Sequence, residues 1–157
     1  MPKTQRPALS EEAQRIRRGC IRFFTRLGFA CLIEVPLPNQ RRADIVAIAR
    51  DGKITIIEVK SGLPDFRADQ KWMDYLGFCD AFYFGVDVDF PSDVLPADIG
   101  FICADEFDAE IMRQSALEPL KAARRHALMQ RLARLGGFRL TAVHDPRLRT
   151  GMIDPED

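Results

Sequence analysis

Apolar residues between Ser10 and Gly28 recur at steps of three and four positions, which is the spacing of a helix with one buried face. Ser10 is a favourable N-cap, and the carboxylates of Glu11 and Glu12 would lie at the positive end of the helix dipole. Gly28 is a natural stop for this helix. The predicted buried face consists of Ala13, Ile16, Cys20, Phe23, Phe24 and Leu27, and the opposite face carries Arg15, Arg18, Arg22 and Arg26.

Three strand-like segments follow this first helix. Residues 29–35 predict a short strand, residues 42–49 a second strand and residues 54–60 a third. Turn signals separate them, because prolines follow the first segment and Asp51-Gly52 closes the second. The pattern therefore predicts adjacent strands joined by tight connections.

The remainder of the chain alternates helical and short apolar segments. A break at residues 61–64 precedes them. The predicted elements are a helix over residues 65–78 with Phe66, Trp72, Tyr75 and Leu76 as core contacts, strands over 81–86 and 99–103, and a helical stretch over 107–135 that Pro119 divides and Gly136-Gly137 ends.

This order of elements predicts an α/β fold. We expect a single domain over residues 9–143, with a mixed central β-sheet flanked by helices. Residues 1–8 and 144–157 are predicted to be flexible termini.

Composition and charge narrow the class of protein. No stretch approaches the roughly 20 apolar residues of a membrane span, and the start lacks the apolar core of a secretory signal, so we expect a cytoplasmic protein. The four cysteines lack the spacing of zinc ligands. The net charge is zero, but residues 1–50 sum to +6, residues 51–110 to −10 and residues 111–157 to +4. This uneven distribution of charge has two interpretations. The basic terminal helices could face DNA phosphates while the acidic middle binds cations, or the charges could simply form a solvated surface.

The third predicted strand carries two charged residues on one face. A strand period of two places Glu58 and Lys60 together with Ile54 and Ile56. An ionisable pair in a buried strand is costly unless it is paired or bound to a metal ion. Asp44 is another isolated acidic residue beside an apolar run, and an adjacent antiparallel strand would bring it to Glu58.

Two carboxylates and one ammonium group suit the hydrolysis of a phosphodiester. Because Mg²⁺ prefers oxygen ligands, Asp44 and Glu58 are candidate metal ligands, and the carbonyl of Val59 is a further candidate. Mg²⁺, or alternatively Mn²⁺, would lower the pKa of its bound water and neutralise charge on the phosphate. Lys60 would orient that water or stabilise the oxyanion. The alternative for these three side chains is a buried ion-pair network.

These residues resemble a nuclease signature. Asp44, thirteen intervening residues and then Glu58-Val59-Lys60 on a strand look like the PD-(D/E)xK nuclease superfamily, although Ala43 stands where the signature has proline. Three longer strings, RRADIVAI, IIEVKSGLPDFRADQKWMDYLGFCDAFYFGV and DVLPADIGFICAD, are similar to the MmcB-like DNA repair proteins. The resemblance implies a restriction-endonuclease-like core and a DNA repair endonuclease, with damaged or branched DNA among its expected partners.

Several other residues are predicted to support such a site. The superfamily resemblance points to polar residues after the third strand, and Glu34 on the first strand is a further carboxylate. The supporting candidates are Glu34, Ser61, Asp69, Gln70 and Lys71. The candidates for contacts with DNA phosphates are Arg15, Arg18, Arg22, Arg26, Arg41 and Arg42.

The sequence is also compatible with other functions. One is a catalytically weak or inactive DNA-binding or scaffold module of the same fold, and another is an RNA nuclease. A third is an unrelated interaction domain in which Glu58 and Lys60 merely pair. A homodimer also stays open, because many nucleases of the superfamily cut both strands as dimers.

Overall fold

Six β-strands form one mixed sheet, and their order in the sheet follows their order in the chain. The computed structural model describes residues 8–148. The strands are β1 (Ala30–Pro36), β2 (Arg42–Ile48), β3 (Ile54–Lys60), β4 (Ala81–Val86), β5 (Gly100–Ala104) and β6 (Ala109–Arg113). β3, β4 and β5 run parallel to one another, and the remaining neighbours are antiparallel. The predicted fold class, a mixed sheet flanked by helices, is confirmed.

The helices begin and end at residues with clear local causes. They are α1 (Glu11–Arg26), α2 (Leu63–Ala68) and α3 (Ala122–His144), with 3₁₀ helices at Trp72–Phe78 and Ser92–Val94. The Ser10 hydroxyl accepts a hydrogen bond from the Ala13 amide at 3.1 Å, as an N-cap does. Gly28 has a φ of 83°, a conformation that favours glycine after a helix. Both predicted limits of α1 are therefore confirmed.

The chain divides into two compact units, one that ends at Glu118 and one that begins at Pro119. The first unit contains the sheet, α1 and α2, and the second contains α3. The single domain over residues 9–143 stays a prediction, and of the predicted flexible termini residues 1–7 and 149–157 lie outside the described residues. Within residues 8–148, no helix is long and apolar enough to cross a membrane.

One face of the sheet packs against α1. Most of the predicted buried face of this helix meets side chains from four strands, because residues two apart on a strand point to the same side. Leu27, predicted on that face, is 58% exposed, because it follows the last turn of the helix. The cluster contains Ala13, Ile16, Cys20 and Phe24 of α1 with Ile45, Ala47, Ile57, Val59, Ala81, Tyr83, Ile102 and Ala104 of the sheet. These residues form an apolar core between α1 and the sheet.

Residues 63–78, which we call the cover segment, lie on the opposite face of β3 and β4. Phe66 contacts Phe84 edge-on, with ring centroids 5.5 Å apart. Trp72 packs near Phe82 at 6.2 Å and Phe84 at 5.9 Å, so it faces inward as predicted, although it is only partly buried. Because Phe84 is paired with Glu58 in the sheet, the cover segment lies over the face that carries the charged residues.

The helix predicted over residues 65–78 is wrong as a single element. It is divided between α2 and the 3₁₀ helix Trp72–Phe78, with Asp69 in an extended conformation between them. The Asp69 carboxylate accepts hydrogen bonds from the Lys71 amide at 3.1 Å and from Lys60 Nζ at 3.4 Å. These bonds stabilise a break that helical periodicity does not reveal.

The helix predicted over residues 107–135 is also wrong in its first part and at its end. Residues 109–113 form β6, whose side chains alternate in burial and whose backbone pairs with β5. A helix does follow Pro119, but it continues through Gly136 and Gly137 to His144. A glycine inside a helix costs only about 1 kcal/mol, which neighbouring turns can offset.

Candidate active site

At Asp44 and Glu58, side-chain carboxylates replace main-chain carbonyls as the acceptors of hydrogen bonds between β2 and β3. Regular main-chain pairing covers Ile45 to Ile48 of β2. Beyond it, the Val59 amide donates to Asp44 Oδ2 at 2.8 Å, and the Asp44 amide donates to Glu58 Oε2 at 3.4 Å. Each carboxylate therefore accepts an amide hydrogen of the opposite strand, and this exchange holds the two carboxylates side by side.

The three predicted catalytic side chains are almost completely buried. Asp44 and Glu58 are each 1% exposed and Lys60 is 2% exposed. Lys60 Nζ lies 3.4 Å from Asp69 Oδ2, so the ammonium group has a carboxylate partner in the cover segment. Burying charged groups at this depth costs free energy, which favours a functional reason for keeping them.

Asp69 is held in its ionised form. Partial burial raises the pKa of this carboxyl, but hydrogen bonds from the Lys71 amide and the charge of Lys60 lower it by more, so the net pKa lies below its ordinary value. Asp69 therefore remains a negative partner for Lys60 at neutral pH.

Tyr75 reaches the same site from the cover segment. Its hydroxyl lies 3.0 Å from the carbonyl oxygen of Arg42 and 3.4 Å from Glu58 Oε1. The sequence placed Tyr75 in the core, which is correct because it is 5% exposed. Its polar role went unpredicted, although a buried tyrosine hydroxyl usually finds a hydrogen-bond partner.

The donor set fits a hard divalent cation. Asp44 and Glu58 offer oxygen atoms, and Mg²⁺ is commonly held by one or two carboxylates with water and substrate phosphate completing the shell. Among residues 8–148, no group of three or more His, Cys, Asp or Glu residues forms a metal-binding cluster. The arrangement thus differs from an all-protein metal cage. The described contact of Val59 with the site is made by its amide, which donates to Asp44 Oδ2. The role of its carbonyl as a metal ligand stays a prediction.

The other supporting candidates bond mainly within their own segments. The amide and hydroxyl of Ser61 donate to Asp65 at 3.0 and 3.2 Å, and the Gln70 side chain donates to the Phe66 carbonyl. The described contact of Lys71 is made by its amide, to Asp69. Of this group, Asp69 is the one that a described bond joins to a predicted catalytic side chain.

Glu34 lies between two arginines. It lies in β1 between Ile33 and Val35, which pair with Ile45 and Ala43, and its φ of 48° is unusual for a strand residue. Its carboxylate lies 3.4 Å from Arg17 Nη1 and 3.5 Å from Arg42 Nη1. This ion-pair group is the environment that the structure shows for Glu34.

The predicted DNA-binding arginines fall into two groups. In α1, Arg22 donates to the Glu106 carbonyl and Arg26 pairs with Asp108, so both attach the helix to the β5–β6 turn. Arg15 and Arg18 are exposed. An open groove of about 360 Å³ is lined by Gln14, Arg17, Arg18, Ile21, Arg22 and Ile33.

The second group lies next to the carboxylates. Arg41 pairs with Asp74 of the cover segment at 2.8 Å, and the Asn39 side chain donates to the Asp74 carbonyl at 2.9 Å. Arg42, two residues before Asp44, is exposed. These contacts attach the cover segment to the approach to β2.

The fold and the site define an α/β protein with a mixed sheet whose central strands hold two buried carboxylates and a lysine. The chain belongs to the MmcB-like family, since a family model described as "DNA repair protein MmcB-like" matches residues 2–147. The resemblance of the sequence to the MmcB-like proteins is thereby confirmed.

A solved structure supports the fold. It is described as the SPO1766 protein of unknown function from Silicibacter pomeroyi, and it is 38% identical to this chain. The match has a TM-score of 0.84 and covers 90% of this chain and 97% of that chain. No curated protein sequence matches this chain.

Proposed function

We propose that this protein is a Mg²⁺-dependent endonuclease that hydrolyses DNA phosphodiester bonds during DNA repair. Membership of the MmcB-like family supports the repair role. The observation that carries the proposed chemistry is the exchange of hydrogen bonds between Asp44 and β3, which holds the Asp44 and Glu58 carboxylates together. The order of Asp44, Glu58 and Lys60 along the chain also supports assignment of the protein to the PD-(D/E)xK superfamily.

Each residue has a defined part in the proposed reaction. Asp44 and Glu58 would hold Mg²⁺, for which Mn²⁺ can substitute, and the ion would supply an acidified water and charge neutralisation at the phosphate. Lys60 would orient the attacking water or stabilise the phosphate oxyanion. Asp69 would keep the Lys60 ammonium group in place through their 3.4 Å contact.

DNA is the proposed substrate, and damaged or branched forms are included. The exposed Arg42 lies two residues from Asp44, and exposed Arg15 and Arg18 lie on α1. Cationic side chains of this kind neutralise DNA phosphates, and their contribution to DNA affinity falls as the salt concentration rises. A homodimer would allow cleavage of both strands.

A second function is favoured by the burial of the site. Because Asp44, Glu58 and Lys60 are at most 2% exposed, a phosphodiester cannot reach them in this conformation. A DNA-binding module of the same fold that does not cleave would tolerate such burial. The two functions differ in whether metal-dependent cleavage occurs.

Cleavage assays test the nuclease proposal. Linear, supercoiled, branched and single-stranded DNA, and RNA, are incubated with Mg²⁺, Mn²⁺ or chelator. We expect metal-dependent cleavage of DNA, lowered about 10²- to 10³-fold in Lys60→Ala and at least as much in Asp44→Asn. The matched controls Lys53→Ala and Asp51→Asn alter the exposed turn before β3 and retain activity.

The outcomes separate the two functions. Folded wild-type protein that binds DNA without cutting any substrate supports the binding module. Cleavage that survives chelator, or that persists in both site variants, contradicts the proposed chemistry. Preferential cleavage of RNA reassigns the substrate.

A further inference from the structure

The Tyr75 hydroxyl lies close to Glu58, one of the two proposed metal ligands. It also lies close to the backbone two residues before Asp44, the other proposed ligand. Its ring stacks on Phe82, with centroids 6.2 Å apart and planes inclined by 15°. Its hydroxyl lies 3.0 Å from the Arg42 carbonyl and 3.4 Å from Glu58 Oε1. The ring is therefore fixed by packing, and the hydroxyl is fixed between β2 and β3.

The two oxygens of Glu58 face different donors. Oε2 accepts from the Asp44 amide at 3.4 Å, and Oε1 lies at the same distance from the Tyr75 hydroxyl. The Tyr75 hydroxyl has one proton for two acceptors, the Arg42 carbonyl oxygen and Glu58 Oε1, so it reaches Glu58 through a shared, three-centre hydrogen bond. This shared bond and the bond from the Asp44 amide restrict the rotation of the carboxylate about its terminal bond. A carboxylate oxygen can accept a hydrogen bond and still bind a cation, because it carries two lone pairs.

We propose that Tyr75 is a positioning residue, whose hydroxyl holds Glu58 in the orientation that binds the divalent cation. This inference rests on the proposed function, since it concerns the same metal site. Hydrogen-bond partners behind a metal ligand usually contribute 10- to 100-fold to metal affinity. The Tyr75 hydroxyl occupies this place for Glu58, and it connects the site to the cover segment.

The chain provides a matched control. It contains two tyrosines, and both are 5% exposed. The hydroxyl of Tyr83 bonds to the Gln114 side chain at 2.9 Å, away from the carboxylates. Tyr75→Phe and Tyr83→Phe each remove one buried hydroxyl and keep the ring, so only the first changes the contact with Glu58.

The experiment measures Mn²⁺ binding by titration calorimetry on the full chain, with no DNA present. We expect the dissociation constant to rise about tenfold in Tyr75→Phe and to stay within about twofold in Tyr83→Phe. In cleavage assays, the Mg²⁺ concentration for half-maximal rate should rise by the same factor. The rate at saturating Mg²⁺ should change by less than about threefold, because Tyr75 acts through metal binding.

Other results overturn the inference. Equal Mn²⁺ affinity in the two phenylalanine variants removes any role of the Tyr75 hydroxyl at the metal. A lowered saturating rate with unchanged metal dependence shows a different role. Wild-type protein that binds no Mn²⁺ overturns both proposals, whereas Mn²⁺ binding that depends on Tyr75 in a protein that cuts nothing overturns only the nuclease.

Discussion

The two faces of β3 are equally buried, but the last residues on each face contribute in opposite ways to the stability of the fold. Toward α1, Ile57 is 0% and Val59 5% exposed, and both are surrounded by apolar side chains. Toward the cover segment, Glu58 is 1% and Lys60 2% exposed. Burial of apolar surface favours folding, whereas burial of charge opposes it. The comparison indicates that Ile57 and Val59 stabilise the domain, whereas the burial of Glu58 and Lys60 opposes folding and must be offset by other contacts.

Neighbouring substitutions on β3 should give the largest contrast between the faces. Ile57→Ala should lower the free energy of unfolding by about 3 kcal/mol, because it leaves a cavity under α1. Glu58→Gln keeps the shape and replaces one of two adjacent buried carboxyl groups with a neutral amide, so the free energy of unfolding should stay equal or rise by about 1 kcal/mol. Urea unfolding measures both, and a similar loss in the two variants would contradict the comparison.

The close approach of α1 to the β5–β6 turn offers a second test of the stabilising face. A Cβ at Gly19 would overlap the carbonyl oxygen of Asp105, so Gly19→Ala should lower the free energy of unfolding by about 2 kcal/mol or more. Gly137 is also helical and has open space around it, so Gly137→Ala should raise stability by about 0.5–1 kcal/mol. Thermal unfolding of both variants should show opposite signs.

The smallest expected effect concerns Asp69 on the charged face. Its pKa is lower in the folded state than the ordinary value of 3.8, so its ionic contacts stabilise the fold above about pH 4 and are lost as the pH falls through the folded pKa. Asp69→Asn should lower stability at pH 7 by less than about 1 kcal/mol, because this side chain is 39% exposed. Urea midpoints at pH 7 and pH 2.5 check this. A difference from wild type that is unchanged at pH 2.5 would exclude the ionic origin.

Elements with local causes were predictable from the sequence. The bounds of β3 agree with prediction at Ile54 and Lys60, and Ser10 and Gly28 delimit α1 as expected. The break at Asp69 was not predictable, because it depends on Lys60 from another element. β6 was not predicted, because its composition also suits a helix. What makes it a strand is the pairing of its backbone with β5, which the local sequence does not show.

The candidate site also has one part that the sequence predicted and one part that it did not. Antiparallel strands at known spacing were enough to predict that Asp44 and Glu58 meet, and the structure brings their hydrogen-bonding groups together. Tyr75 was not identified as a site residue, because its ring fits the pattern of a core contact and the sequence does not show where its hydroxyl points. The roles of all these residues in catalysis stay predictions.

The short elements of the cover segment have a consequence for the dynamics of the site. α2 has six residues and the 3₁₀ helix has seven, and they are joined at an extended Asp69. Elements with so few hydrogen bonds open locally at a lower free energy than the whole domain. Amide hydrogens of residues 63–78 should therefore exchange with solvent sooner than those of β3. Entry of a substrate through this opening would lower its apparent affinity in proportion to the open fraction.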